Sequence, residues 1–246
     1  MNSYIVIPAR YSSTRLPGKP LCDLCGKPMI IHVAQRAKEV EGIKGVFIAT
    51  DDLRIKNVVQ DFGFDCIMTR KEHPSGTDRI YEAASKIGFL EDDVIINVQG
   101  DQPLLDTKAV EKMLSLYKKG QFSMTTVACK MTENEAKDPN RVKVILDNSF
   151  KAIYFSRAQI PFDRDGILKG ESKPYLRHLG LYCYSVSFLK RFVSWPEGRL
   201  EQIERLEQLR VIENGHTIGV TIVDSAPPEV DTEKDLELVK ELLLTN

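Results

Sequence analysis

Residues Tyr4–Leu21 read YIVIPARYSSTRLPGKPL. The apolar run Tyr4–Ile7 ends at Pro8, and a polar loop follows. A short apolar run closed by turn residues predicts a buried β-strand. The loop carries Arg10, Arg15 and Lys19, with Ser12, Ser13 and Thr14 among them and Gly18 just before the lysine. Three fixed cations and several hydroxyls on one loop suit a polyphosphate. Glycine there lets backbone come close to a ligand. The loop is neither a Walker A loop, since GxxxxGK[ST] is missing, nor a dinucleotide fingerprint, since GxGxxG is missing. A solvated basic surface loop is the competing reading.

Working outward, the next segments alternate between two periods. Met29–Val40 places Met29, Ile30, Val33, Ala37 and Val40 on one helical stripe, with Pro28 suited to the first turn. Gly45–Ala49 is a short apolar strand, Asp52–Phe62 a helix and Asp65–Met68 a third strand. A helix at Arg79–Ile87 and the buried strand Val94–Val98 continue the series, and Thr107–Leu116 is again amphipathic. This βαβα order predicts an α/β fold with a mostly parallel, Rossmann-like sheet flanked by helices. From Ser123 the character changes. Ser123–Ala128, Val142–Leu146, Ala152–Phe155 and Leu181–Tyr184 are strand-like, and Ile160–Tyr175 is a long loop rich in charge, Pro and Gly. Phe188–Trp195 is a short helix, and Leu200–Glu213 is expected as one charged helix. Thr217–Val223 is the last strand, and Asp231 is expected to cap the helix Glu233–Leu244. The expected organisation is one domain over residues 1–246, with a smaller lobe around 123–185.

The 246-residue length fits that organisation. A net charge of -1 argues against a broad nucleic-acid footprint and leaves room for a local cationic pocket. No apolar run is long enough for a membrane span, and the N-terminus has no leader pattern, so a cytoplasmic protein is expected. The five cysteines are odd in number and scattered, which fits a reducing compartment. Cys22 and Cys25 form a CxxC, but it lies outside a thioredoxin-like helix start, and no second CxxC completes a zinc site.

Two further positions carry chemistry. Asp101 follows the Val94–Val98 strand, next to Gly100, where open parallel sheets bind their ligands. A carboxylate near a triphosphate normally holds Mg²⁺ together with the phosphate oxygens, although an ordinary turn also fits. In His73–Arg79, Ser75 or Thr77 can cap the following helix, and the free N–H groups there can receive an anion or a base edge. No triad context or HExxH spacing occurs; His178, beside Arg177, is the histidine expected near a substrate.

At this point the chain resembles the 3-deoxy-D-manno-octulosonate cytidylyltransferases, or CMP-Kdo synthetases. The matching pieces are IPARYSSTRLPGKPL, SGTDR, NVQGDQP, YFSRAQIPFDRD, RHLG, LEQIERLEQLR and VDT, in the same order over nearly the whole chain. The resemblance implies a nucleotidyltransferase fold with a smaller sugar-binding and dimerising part. It implies a homodimer that transfers CMP from CTP to the anomeric 2-hydroxyl of a 3-deoxy-2-ulosonic acid, releasing pyrophosphate and giving the CMP-sugar used in lipopolysaccharide synthesis. It places Arg10, Arg15 and Lys19 on the triphosphate, with Lys19 stabilising charge at the reacting phosphorus, and makes Asp101 and Asp231 a Mg²⁺-binding pair. Ser75, Gly76, Thr77 and Gln99 fall where cytosine and ribose are read. Gln102, Arg157, His178 and Gln208 fall where the acid sugar is held.

Some positions depart from the family. Pro74 stands where Gln usually precedes SGT, Gln102 makes GDQP of the usual GDEP, Phe162 replaces a tryptophan, and Gly198-Arg199 replace Ser-Pro. Ordinary Kdo is the expected sugar; Gln102 and Gly198-Arg199 also fit a subgroup using 8-amino-3,8-dideoxy-D-manno-octulosonate. The competing readings are a cytidylyltransferase for another nonulosonic acid, a metal-dependent glycosyltransferase and a non-catalytic nucleotide-binding protein. SGTDR with RHLG opposes the first, and the lack of a DxD opposes the second.

Overall fold

Strand β1 (Ser3–Ala9) exists because its apolar side chains have nowhere else to go: Ile5, Val6 and Ile7 are fully buried. The computed structural model describes residues 1–12, 16–168 and 172–245, so Ser13, Thr14 and Arg15 of the basic loop lie outside the described residues. A 3-10 turn at Lys19–Leu21 leads to a hairpin of β2 (Asp23–Leu24) and β3 (Lys27–Pro28). Cys25 sits in that hairpin's turn, and both Cys22 and Cys25 are free thiols. Helix α1 (Met29–Lys38) buries Met29, Ile30, Val33 and Ala37, the expected stripe. It is followed by β4 (Gly45–Thr50), α2 (Leu53–Asp61), β5 (Asp65–Met68), α3 (Gly76–Ile87) and β6 (Val94–Asn97). Asp52 caps α2 by accepting the Arg54 N–H at 2.9 Å. Helix α4 (Thr107–Lys118) comes next.

The following segment carries β7 (Met124–Met131), α5 (Glu133–Ala136), β8 (Lys143–Leu146), β9 (Ala152–Ser156) and β10 (Tyr175–Ser185). Then come α6 (Val186–Ser194), α7 (Arg199–Glu204), α8 (Leu209–Glu213), β11 (Ile218–Val223) and α9 (Glu233–Thr245).

The chain forms two compact units. One comprises Met1–Glu111, Ser185–Val193 and Pro227–Asn246. Its sheet runs β6-β1-β4-β5 with every pairing parallel, the pattern that βα crossovers produce. The other comprises Lys112–Tyr184 and Ser194–Ala226. Here β7 pairs with β11 in parallel and with β10 antiparallel, and β8 pairs antiparallel with β10 and β9. This second unit takes in the 123–185 segment and residues 194–226 as well.

Three local expectations are corrected. Strand structure near 181–184 extends back to Tyr175, because a bulge between His178 and Tyr182 lets one long strand absorb the RHLG segment. The expected helix Leu200–Glu213 is two helices: Arg205 takes a left-handed conformation (φ 53°) and ends α7. Arg210 on α8 reaches back to the buried Glu201 on α7 through bonds of 2.7 and 2.6 Å, which join the two pieces. Helix α3 begins at Gly76 rather than Arg79, since Ser75 accepts the Asp78 N–H at 3.2 Å as its cap.

Candidate active site

The site grows from the end of β1. Gly18 holds a left-handed φ of 69°, and a Cβ there would meet the Tyr11 hydroxyl oxygen at 3.1 Å. That turn starts the Lys19–Leu21 helical turn, with Leu21 N–H donating to Gly18 O at 2.8 Å. Beneath it Leu16, Leu24 and Met29 share a buried cluster with Val230 and Val239. Val230 N–H also donates to Asp101 O at 2.9 Å. A core contact and a backbone bond thus seat the 230–231 segment on the loop beyond β6. Gly100 makes that loop possible: a Cβ there would stand 3.2 Å from the Pro8 carbonyl oxygen.

Three candidate residues converge as a result. Lys19 Nζ donates to Asp101 Oδ2 at 2.8 Å and Asp231 Oδ1 at 3.0 Å, partners 82 and 212 residues away. Burial works against the Lys19 charge, but the Asp101 and Asp231 carboxylates outweigh it and raise its pKa, so the ammonium stays charged at neutral pH. The expectation that Asp231 caps α9 is corrected. Thr232 accepts the Asp235 N–H at 3.3 Å and Asp235 accepts the Thr232 N–H at 2.8 Å, a reciprocal box. With that end closed by its neighbours, the Asp231 carboxylate is directed to Lys19.

Arg10 lies one residue beyond β1, and its Nη2 donates to the His73 carbonyl at 2.7 Å. That carbonyl is two residues before Ser75, whose Oγ also donates to Asp78 Oδ2 at 2.6 Å. Gly76 and Thr77 form the first turn of α3, with Thr77 buried. Gln99 Nε2 donates to Asn97 Oδ1 at 3.2 Å. Gln102, also buried, donates to Glu229 Oε1 at 3.1 Å. Glu229 was not anticipated, since nothing in PPEVDT distinguishes it from a surface acid.

Gln102 belongs to the first unit, whereas Arg157, His178 and Gln208 belong to the second. His178 and Gln208 meet, His178 Nδ1 to Gln208 Nε2 at 3.5 Å, while His178 Nε2 lies 2.9 Å from Thr126 Oγ1. Tyr182 donates to Gln208 Oε1 at 3.1 Å. Burial, and secondarily the Arg177 charge, push the His178 imidazole down to about 3, so the ring is neutral. Arg157 is held by backbone carbonyls: its Nε donates to Glu204 O at 2.7 Å, with further bonds to Pro139 O and Arg205 O. Lys143, which sequence reasoning passed over, is fully buried and donates to the Arg157 carbonyl at 2.6 Å. Gly198 has a local explanation: a Cβ there would fall 2.0 Å from Glu213 Oε2, and this carboxylate accepts the Leu200 N–H at the start of α7.

Among the described residues no three His, Cys, Asp or Glu side chains converge as a metal cage. Asp101 and Asp231 do fit a hard divalent cation, because both reach one cationic nitrogen and such ions take their remaining ligands from phosphate and water. No helix among the described residues is long and apolar enough to cross a membrane.

An arginine-bearing loop and a cation–carboxylate cluster lie beyond the carboxyl ends of parallel strands, where open α/β sheets bind their ligands. The cytidylyltransferase family model matches residues 4–218. The 8-amino-3,8-dideoxy-manno-octulosonate cytidylyltransferase of Shewanella loihica is 48% identical over 97% of both chains. That of Shewanella sediminis is 46% identical over 99% of both. A solved CMP:2-keto-3-deoxy-manno-octonic acid synthetase complexed with CTP has a TM-score of 0.92 at 42% identity, covering 100% of this chain and 99% of that one. A cytidylyltransferase from Leptospira borgpetersenii shares the fold alone, with a TM-score of 0.67 at 17% identity over 100% of this chain and 88% of that one. The chain therefore belongs to the cytidylyltransferases, in the family that makes CMP-Kdo or its 8-amino counterpart. It acts with CTP on a Kdo-type sugar.

Proposed function

We propose that the chain transfers CMP from CTP to the anomeric 2-hydroxyl of 8-amino-3,8-dideoxy-manno-octulosonate, releasing pyrophosphate in a Mg²⁺-dependent reaction. The carrying observation is that the curated relatives at 45–48% identity share the 8-amino name over nearly their full lengths. This departs from the expectation of ordinary Kdo. Kdo itself is the second reading, favoured by the 42% identical synthetase. The Gln102–Glu229 bond adds a physical reason for the first. A glutamate at 102 would oppose Glu229, whereas an amide donates to it and keeps a carboxylate available for an ammonium group.

In this reading Arg10, Arg15 and Lys19 hold the triphosphate, and Ser75, Gly76, Thr77 and Gln99 read cytosine and ribose. Gln102, Arg157, His178 and Gln208 hold the sugar, with neutral His178 acting as a hydrogen-bonding group rather than a cation. Asp101 and Asp231 hold Mg²⁺. When bound there, the ion would supply positive charge to the phosphate oxygens and favour ionisation of the attacking hydroxyl. The sugar hydroxyl gives up its proton to solvent, its oxygen forms a bond to the α-phosphorus as the bond to the pyrophosphate oxygen breaks, and Lys19 offsets the charge that develops.

The test is pyrophosphate release from CTP with each sugar in parallel, with and without EDTA. We expect a higher kcat/KM for the amino sugar and loss of turnover on chelation. Preference for Kdo would overturn the sugar assignment, and EDTA-resistant turnover would overturn the metal assignment.

A further inference from the structure

The segment between β5 and α3 carries two candidate functions, yet neither explains what fixes it in place. It supplies the His73 carbonyl that takes the Arg10 guanidinium at 2.7 Å, and it ends in Ser75, the cap of α3. Its beginning is tied to the sheet by Thr69 N–H donating to Thr50 O at 2.8 Å. Between these points it is gathered by one side chain, Glu82, two turns along α3. Glu82 Oε2 accepts the Arg70 N–H at 3.1 Å and meets His73 Nε2, while Oε1 meets Lys86 Nζ at 2.8 Å. The imidazole of His73 is buried, and the Glu82 side chain is only 15% exposed. Burial opposes the Glu82 charge, but the bonds from Lys86, Arg70 and His73 outweigh it and hold the carboxyl at about 2.

Most of the nucleotide-binding candidates touch phosphate, base or metal in the reading above. Glu82 touches none of them. Its Oε2 is directed to the Arg70 N–H and the His73 ring, in the segment whose His73 carbonyl takes the Arg10 guanidinium and which ends in Ser75. We propose that Glu82 is a positioning residue for CTP: through His73 it fixes the carbonyl that orients Arg10, and through the same loop it fixes the Ser75–Thr77 turn. This rests on the reading of Arg10 and Ser75–Thr77 as nucleotide-binding groups. A carboxylate suits the task because it accepts several hydrogen bonds at once, whereas a carboxamide oxygen offers fewer.

The experiment compares wild type, Glu82→Ala, Glu82→Gln, Arg10→Ala and the double variant Arg10→Ala/Glu82→Ala. CTP affinity is measured by calorimetry without sugar, alongside KM for each substrate, kcat and Tm. Glu82→Ala is expected to weaken CTP about tenfold, the effect of losing a charged hydrogen-bond anchor, with sugar KM unchanged. Glu82→Gln, which keeps one acceptor oxygen and the volume, is expected to recover part of the loss. In the Arg10→Ala background the Glu82→Ala effect should shrink, since interacting residues are not additive. Unchanged CTP affinity in Glu82→Ala, an undiminished effect in the double variant, or an equal rise in both KM values with a lower Tm would each overturn the proposal. If wild type itself fails to bind CTP, the reading of the nucleotide site fails first, and the two failures are thereby told apart.

Discussion

Lys19 is the residue with the most to lose by substitution. Its ammonium is charged, largely enclosed, and fixed by bonds of 2.8 and 3.0 Å. Lys19→Ala should lower kcat by about 10²-fold or more, the range for a removed charge-stabilising donor, and steady-state kinetics with saturating sugar will read it. His178 makes a different prediction. Its folded pKa, about 3, lies below the ordinary 6.5. The unfolded chain therefore binds a proton between those values that the folded chain refuses, and stability falls as pH drops through that window. Urea unfolding should show a wild-type slope steeper than that of His178→Gln by up to about 1.4 kcal/mol per pH unit. Equal slopes would show that the imidazole takes up its proton in the folded state. At this scale the sequence was informative where chemistry and position coincide, as at Lys19 and Asp101. It was uninformative for Glu82, Lys143 and Glu229, whose roles come from what folding places beside them.

At the scale of elements, the joint between α7 and α8 shows what periodicity cannot express. The apolar positions 203, 206 and 209 suit one helix, but no pattern reports that Arg205 turns left-handed and splits it. The two short helices are joined by the Glu201–Arg210 pair, with side chains 7% and 9% exposed. Glu201→Ala would leave the Arg210 guanidinium buried without its carboxylate. A destabilisation of about 3–5 kcal/mol is expected, measurable as a shift in the denaturant midpoint, while replacing both residues by apolar ones should cost much less. The strands that surround the nucleotide side were far more legible. Asp65–Met68 coincides with β5, and β1, β4 and β6 extend or trim their expected ranges by two residues or fewer at either end. Short, continuously apolar runs have only one burial solution in a parallel sheet.

Across the whole molecule, the α/β class and the family were readable because the motifs keep their order over nearly the full chain. The meeting of Lys19, Asp101 and Asp231 was not readable from spacing. It depends on Val230 finding both a buried cluster and the Asp101 carbonyl, two long-range events with no local mark. The capping box at Thr232 and Asp235 is another case, since either Asp231 or Thr232 satisfies a cap rule until the geometry is known.

The seating of Val230 and Asp231 on segments far earlier in the chain bears on how an active molecule comes into being. Every other candidate group has a lower number, so during translation Asp231 is the last to emerge. A nascent chain stopped before Val230 has its basic loop and the Asp101 carboxylate beyond β6. It still lacks the second carboxylate and the valine that closes the core beneath Lys19. Competence is therefore expected late in synthesis: a fragment ending before Val230 should release no pyrophosphate from CTP and sugar.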